Sequence, residues 1–414
     1  MEQTMSTANG ISIPETGLRW LFVDMNSFFA SCEQQMNPEL RGQAVAVAPV
    51  LVDSTSAIAA SYEAKAFGIK TGTPIWEARK KCPDLKVVQA RPKLYVEYHH
   101  RIREAIETCI PIEAVMSIDE VACKLDKVQV QPHVAKALAG SIKAAIRDRV
   151  GGALLCSVGV AANRLLAKLA CDMQKPDGLT ILRPEDMPDA ILHLKLDDFA
   201  GIGPNMLVRL NQAGIPDMRQ LWAADAERLK RIWGGINGVR FHALLHGADL
   251  PNPKTKSRSM SHQHVLAPDE RTLEKATPII RQLCMRVAER LRSEHFYCQR
   301  LSLDIKWVQN LGHHYDECRF KETQETHVLL PKLMRLWDAA PRLKPLRVGV
   351  TLGDLTARGT HQPDLFDRPE DANLTDAIDR MNARFGKGTI SFGSSAKPMT
   401  SKIAFQRVPK LDEF

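Results

Sequence analysis

Apolar runs alternate with amphipathic stretches along the chain, and their lengths and periods predict its elements. Trp20-Leu21-Phe22-Val23 is a continuous apolar run that ends in Asp24. A run this short, apolar throughout, reads as a strand buried on both faces with a carboxylate at its carboxyl end. Residues 26–34 bring Phe28, Phe29 and Cys32 near one helical face. Residues 44–52 predict a second strand, 61–67 a helix closed by Gly68, and 74–81 a short helix stopped by Pro83. Residues 94–109 form a longer amphipathic pattern. Residues 112–118 alternate like a strand, Asp119 and Glu120 interrupt, and 121–125 resume the alternation. Residues 134–150 predict a helix, 154–160 a strand, and 163–173 a helix that stops before the turn signal Lys175-Pro176-Asp177-Gly178.

Strands and helices mix in this way through residue 180, the pattern of an α+β sheet domain covered by helices. Residues 184–247 read as short helices joined by tight loops, among them Gly201-Ile202-Gly203-Pro204. Residues 249–258 hold Pro251, Pro253, Lys254, Lys256 and Arg258 and read as a linker. Beyond them come a long helix (271–294), strands at 300–308 and 346–352, and a helix at 331–339. Together these make a second α+β unit of about 100 residues. The tail after Arg358 carries Gln362-Pro363-Asp364-Leu365-Phe366, a helix near 374–385 and a polar, basic end. No repeat of 20–50-residue period is present.

Length and composition narrow the class. At about 150 residues per domain, 414 residues make roughly three domains. With 44% hydrophobic and 25% charged residues the chain reads as globular, not disordered, collagen-like or membrane-embedded. No apolar stretch approaches a spanning length, so no membrane partner is expected. The first 17 residues lack a basic segment followed by an apolar core and read as a flexible extension, not a secretory signal. Fifty-six Lys and Arg against 48 Asp and Glu give +8, a surplus that favours a polyanionic partner. The nine cysteines form no CxxC pair and their number is odd, which points to reduced thiols filling cores in a cytoplasmic protein.

The most informative chemistry is acidic. Asp24 ends one apolar strand, while Asp119 and Glu120 sit within another strand-like stretch. If those strands lie in one sheet, three carboxylates converge. Such a cluster is costly without a cation, and Mg²⁺ prefers oxygen ligands, typically carboxylates and substrate phosphates. Two such ions about 3.5–4 Å apart activate a hydroxyl and stabilise a leaving pyrophosphate. Each acid taken alone reads better as a solvated or salt-bridged strand-end carboxylate, because spacing does not establish convergence.

Four stretches in order carry a resemblance: Phe22-Val-Asp-Met-Asn-Ser-Phe-Phe-Ala-Ser-Cys-Glu33, Ser61-Tyr-Glu-Ala-Lys-Ala-Phe-Gly68, Ser117-Ile-Asp-Glu120 and Ser157-Val-Gly-Val-Ala-Ala-Asn-Arg-Leu-Leu-Ala-Lys-Leu-Ala170. The chain resembles the Y-family translesion DNA polymerases of the bacterial DinB/UmuC type over nearly its whole length after residue 18. Asn26 departs from that pattern, since DinB-like members commonly carry Asp there, and Ala59 stands where some carry a hydroxyl residue.

The resemblance implies an α+β multidomain right-hand fold: a flexible extension (1–17), a palm (18–27 and 91–180), fingers (28–90), a thumb with a helix-hairpin-helix (181–248), a linker (249–258), a little finger (259–358) and a tail (359–414). It implies that Asp24, Asp119 and Glu120, helped by the Met25 carbonyl, hold two Mg²⁺ ions. It assigns nucleotide contacts to Phe28, Phe29, Tyr62, Lys65 and Lys168, with Phe29 as the steric gate against a 2′-hydroxyl. For Phe28 a core aromatic is the stronger reading of the residues. Gly201 and Gly203 resemble a hairpin that approaches DNA phosphate. Arg286, Arg290, Arg292, Arg300 and Lys306 are candidate phosphate contacts in the second unit. Gln362, Leu365 and Phe366 resemble a sliding-clamp-binding peptide. The expected function is low-fidelity, template-directed synthesis on primer-template DNA from dNTPs by a monomer. The alternative is a catalytically weak relative that bridges damaged DNA and the clamp.

Overall fold

The structure is a computed structural model and describes residues 17–251, 258–308, 311–360, 369–386, 389–390 and 408. Two compact units divide between residues 252 and 253, inside the stretch read as a linker.

The first unit contains β1 (Trp20–Met25), α1 (Phe28–Met36), β2 (Val45–Ala48), β3 (Ala59–Ala60), α2 (Tyr62–Ala66), α3 (Ile75–Lys81), β4 (Lys86–Gln89), α4 (Pro92–Glu107), β5 (Ala114–Val115) and β6 (Glu120–Lys124). It continues with α5 (Pro132–Arg149), β7 (Cys156–Ala161), α6 (Arg164–Met173), β8 (Leu179–Ile181), α7 (Pro204–Gln212), α8 (Met218–Ala223), α9 (Ala226–Trp233) and α10 (Ile236–Leu245). Its main sheet has the order β5-β6-β1-β7-β8, with β1 antiparallel to both neighbours. All six residues of β1 are buried because both faces of this central strand are covered. Leu21, Val23 and Met25 join the core of α4 and α5, with Ile102, Ile106, Ile142 and Ile146. Trp20 and Phe22 face the other way, into a core shared with Leu166, Ala167 and Ala170 of α6.

Gly159 lets α6 lie directly on β7. A Cβ there would sit 2.1 Å from the Ala167 carbonyl oxygen and 2.3 Å from the Cys171 nitrogen. A smaller sheet, β3-β2-β4, packs with α2 and α3 over a core of small residues, among them Ala46, Ala60, Ala64 and Ala78. The residues from 184 to 245 form 3-10 turns and α7–α10, as the pattern predicts.

The second unit contains β9 (Ser259–Val265), α11 (Leu273–Ser293), β10 (Phe296–Trp307), β11 (His313–Thr323), α12 (Thr326–Ala339), β12 (Pro345–Gly353), β13 (Thr356–Ala357) and α13 (Pro369–Phe385). Its sheet runs β11-β10-β12-β9, all antiparallel. Leu301, Leu303, Ile305 and Trp307 point from β10 into a core with α11 and α12.

The strand expected over 112–118 is only Ala114–Val115. The amides of Met116 and Ser117 both donate to the Glu120 carbonyl, at 2.9 and 3.2 Å, so the chain turns before Asp119 instead of continuing the ladder. Seven of the nine cysteines are buried, as core-filling residues are. Among the described residues no helix is long and apolar enough to cross a membrane.

Candidate active site

The register of the main sheet builds the site. Asp24, 5% exposed, pairs with Glu120 on β6 and with Ser157 on β7. Directly opposed residues of an antiparallel pair share a face with Cβ atoms about 4.5–5.5 Å apart. Asp24 and Glu120 are therefore side by side, on the face that α6 covers. The Met25 amide donates to the Asp119 carbonyl at 2.9 Å, which ties the end of β1 to the turn that carries the third acid.

Helix α6 delivers the counter-charges. The Asn163 side chain caps it, accepting from the Leu166 amide at 3.0 Å, and its Nδ2 donates to the Leu244 and Ala248 carbonyls at 2.7 and 3.0 Å. One turn in, Lys168 Nζ is ion-paired with Asp24, lies 2.7 Å from Glu120 Oε1 and 3.2 Å from Asp172 Oδ1, and sits 5.5 Å from the centre of the Phe22 ring. Lys175, just past the helix, places its Nζ 2.7 Å from both Asp24 Oδ2 and Asp172 Oδ1. Asp119 stands beside this cluster and accepts from Ser117 Oγ at 2.5 Å.

These charges sense one another. Burial raises the Asp119 pKa and the negative Asp24 raises it further, against the Ser117 hydrogen bond. Burial also raises Glu120, although Lys168 opposes it. Burial disfavours charge on Lys168, yet Asp24 and Glu120 outweigh it and hold the ammonium well above the usual lysine range. Lys175 is raised in the same way by Asp24 and Asp172. Among the described residues no three acidic, His or Cys side chains close on one point as a metal cage would. The carboxylates of Asp24, Glu120 and Asp172 are bridged by ammonium groups instead.

Tyr62 and Lys65 belong to the same electrostatic field. Lys65 Nζ sits 4.2 Å from the centre of the Tyr62 ring. Burial raises the Tyr62 hydroxyl, with Lys175 and Asp24 acting on it in opposite directions. Partial desolvation lowers Lys65, and Lys175 adds to that effect.

The two aromatics after β1 part company. Phe28 is 3% exposed and belongs to the core of the main sheet, its ring enclosed by apolar neighbours. Phe29 is half-buried and stacks on Tyr95, with ring centres 4.4 Å apart and planes 17° apart. Tyr95 OH in turn donates to the buried Glu33 at 2.8 Å, and Arg91 pairs with the same carboxylate.

The remaining expectations divide. Gly201 takes φ +97°, a left-handed conformation suited to glycine, and Gly203 is the N-cap of α7, with Pro204 in its first turn. Both are exposed around a buried Ile202, but the element before them is a 3-10 turn (Leu196–Asp198), not a full helix. Arg292 is not a free phosphate contact. Its guanidinium pairs with Asp379 at 2.6 Å, donates to the Gln324 carbonyl and Thr326 Oγ1, and leaves the side chain 8% exposed. Lys254, Lys256 and the Gln362, Leu365 and Phe366 peptide lie outside the described residues.

Reading the motifs left out Asp172 and Lys175. The spacing of Lys168 and Asp172, four apart, was an available signal for Asp172, since it sets the two side chains along one face of α6, whereas Lys175 lies past the helix end.

Comparisons with known proteins identify the family. The impB/mucB/samB family profile matches residues 23–172, and the profile of that family's C-terminal domain matches residues 257–365. DNA polymerase IV of Moorella thermoacetica is 33% identical over 391 residues, covering 89% of this chain and 94% of that protein. DNA polymerase IV of Pelotomaculum thermopropionicum is 33% identical over 396 residues, covering 91% and 95%. Among solved structures, a Y-family DNA polymerase chimera of Dbh and Dpo4 superposes with a TM-score of 0.68 at 25% identity, covering 82% of this chain and 99% of that one. An insertion ternary complex of Dbh DNA polymerase gives 0.53 at the same identity and coverage. The fold is thus the α+β, multidomain, right-hand polymerase fold, and the chain belongs to the Y-family of translesion DNA polymerases, of DinB/UmuC-like type.

Proposed function

We propose that the chain is a template-directed, low-fidelity DNA polymerase that joins dNTPs to a primer 3′-end across damaged template by two-metal-ion nucleotidyl transfer. The observation that carries the reading is the pairing of Asp24 with Glu120 under Lys168 and Lys175, with Asp119 one residue away and Tyr62 and Lys65 in the same field. The family's domains map onto the chain as a palm at 18–27 and 91–180, fingers at 28–90, a thumb at 181–248 and a little finger at 259–358.

The donor set suits a hard divalent cation. It is all oxygen, and burial leaves Asp119 and Glu120 with raised pKa values even beside two lysines, so added positive charge is favourable there. Asp24, Asp119 and Glu120, with the Met25 carbonyl, would hold two Mg²⁺. Held by these residues, such ions would supply Lewis-acid activation for a 3′-hydroxyl and charge neutralisation for pyrophosphate. The chain's own groups do the rest. Lys168, Lys175, Lys65 and the Tyr62 hydroxyl meet the triphosphate, cations as point charges and the phenol as a donor. Phe29, braced by its stacking on Tyr95, is read as the gate that would clash with a sugar 2′-hydroxyl. Gly201 and Gly203 let the α7 N-terminus approach a DNA phosphate.

In the tail, Gln362, Leu365 and Phe366 dock a monomeric polymerase on a sliding clamp, which raises its concentration at primer ends. Primer extension with Mg²⁺ on undamaged and lesion-bearing templates tests the reading. Extension past the lesion is expected, and primer-template binding without extension would favour the accessory-protein alternative.

A further inference from the structure

Asn26 has no part in the mechanism above, yet it is 2% exposed and both ends of its amide are engaged. Its Oδ1 accepts the Asp177 amide at 2.7 Å, and its Nδ2 donates to Ser157 Oγ at 3.1 Å. Ser157, fully buried on β7, accepts the Gly178 amide at 3.2 Å and donates to the Gln174 carbonyl at 3.1 Å. Two buried side chains beside the catalytic strand therefore satisfy three backbone groups of one turn, residues 174–178, and Lys175 projects from that turn.

The turn is tightly drawn. Asp177 is left-handed at φ +56°, a conformation with a cost for a residue other than glycine. A Cβ on Gly178 would fall 1.7 Å from the Gln174 carbonyl oxygen. Asn26 is itself fixed from below, because Ser31 Oγ donates to its carbonyl at 2.7 Å. On the outside Lys143 of α5 donates to Asp177 Oδ1 at 2.9 Å. An unpaired buried amide or carbonyl is costly, so these contacts favour the arrangement in which all three groups are met. An amide at position 26 engages this network at both ends: Nδ2 donates to Ser157 Oγ, whose own proton has the Gln174 carbonyl at 3.1 Å and Asn26 Oδ1 at 3.4 Å as acceptors. A carboxylate there keeps the acceptor for Asp177 and loses the donor to Ser157.

We propose that Asn26, acting through Ser157, is a positioning residue for Lys175: the bracket holds the 174–178 turn so that the Lys175 ammonium meets the triphosphate of the incoming nucleotide beside Asp24. This deepens the proposed function and rests on its placement of the triphosphate.

The test is single-nucleotide insertion by the full chain on primer-template, with KM and kcat measured separately. A non-hydrolysable dNTP analogue is titrated in parallel to read binding directly. Asn26→Leu keeps the branched shape, at a somewhat larger volume, and removes both hydrogen bonds. It is expected to raise the nucleotide KM and analogue Kd about tenfold, with kcat changed far less and primer-template affinity within about twofold. Lys175→Ala should give the same signature, and the double variant should be no worse than Lys175→Ala alone. Asn26→Asp, which keeps the Asp177 contact, should recover part of the loss and serves as the readout if Asn26→Leu does not fold. The proposal is overturned if the two substitutions add fully, if Asn26→Leu lowers kcat at unchanged KM, or if Asn26→Asp is as damaging as Asn26→Leu. Unchanged nucleotide binding in Lys175→Ala also overturns it, while leaving the polymerase reading to stand on extension by the parent chain.

Discussion

The sheet centred on β1 and the sheet centred on β10 handle charge in opposite ways. Strand β1 is covered on both faces, and its one charged residue, Asp24, is confined among Glu120, Lys168 and Lys175. Strand β10 covers one face only. Its charged residues lie on the open side in partly exposed pairs, Arg300 with Glu317 at 2.9 Å and Asp304 with Arg347 at 2.8 Å. Charge in the first setting acts at low dielectric, where it shifts neighbouring pKa values and suits chemistry. Charge in the second is screened and exchangeable, which suits sequence-independent contact with a phosphate backbone. The two sheets thus differ in how far each shields its charges from solvent.

The largest effect is expected where the buried cluster is broken. Asp119→Ala should lower primer extension by about a thousandfold or more, with primer-template affinity nearly unchanged in a gel-shift or anisotropy assay. Extension within tenfold of the parent would remove the contrast between the sheets.

Neighbouring Phe28 and Phe29 sharpen it within one helix. Phe28→Ala empties a packed site and should cost about 3–5 kcal/mol in denaturant unfolding without changing sugar selection. Phe29→Ala should instead relax discrimination against ribonucleotides by about 10–100-fold, read from competing incorporation rates. If the two phenotypes were exchanged, the assignment of core and gate would be reversed.

A pH effect follows from His99 of α4. Its Nδ1 donates to the Ile118 carbonyl at 2.7 Å, and burial pushes its pKa down to about 4 from the usual 6.5. The unfolded chain therefore binds this proton more readily. The associated stability is fully present above pH 6.5 and is lost as the pH falls toward 4, on the order of 3 kcal/mol in all. Chemical denaturation at pH 7 and pH 4.5 should show that loss in the parent and a smaller one in His99→Gln. Equal losses would mean that the imidazole is not desolvated.

Smaller still is the effect of backbone clearance. Gly159→Ala forces α6 away from β7 and should destabilise the first unit by about 1–3 kcal/mol. Gly349→Ala, where a Cβ meets nothing nearer than 3.3 Å, should shift the melting temperature far less. A reversal would show that helix packing on the catalytic sheet is the looser of the two.

What could be read in advance follows the same division. β1 and β7 were visible as apolar runs because both of their faces are covered. β9 and β11 were not, since Ser-Met-Ser-His-Gln-His-Val and His-His-Tyr-Asp-Glu-Cys carry polar residues suited to edge strands. β8 escaped because three residues are too few to show a period. In α12 the expected start at Pro331 was late, as the helix begins at Thr326 and runs through the proline. Asp24, Asp119 and Glu120 were found as residue types in a family pattern. The side-by-side placement of Asp24 and Glu120 was not, because strand register is a long-range property, set here by the pairing of residues 24 and 120. Lys175 was hidden because it sits in a turn, and its partner Asp24 is 151 positions away in the chain.

Manganese uptake followed by electron paramagnetic resonance tests the account most directly. The full chain would be titrated with Mn²⁺ on primer-template with a non-hydrolysable nucleotide. The parent should take up two ions per chain, and Asp119→Ala fewer while keeping the DNA. Equal uptake by both would mean that these acids are not the cation's ligands, and the chemistry assigned to them would fail.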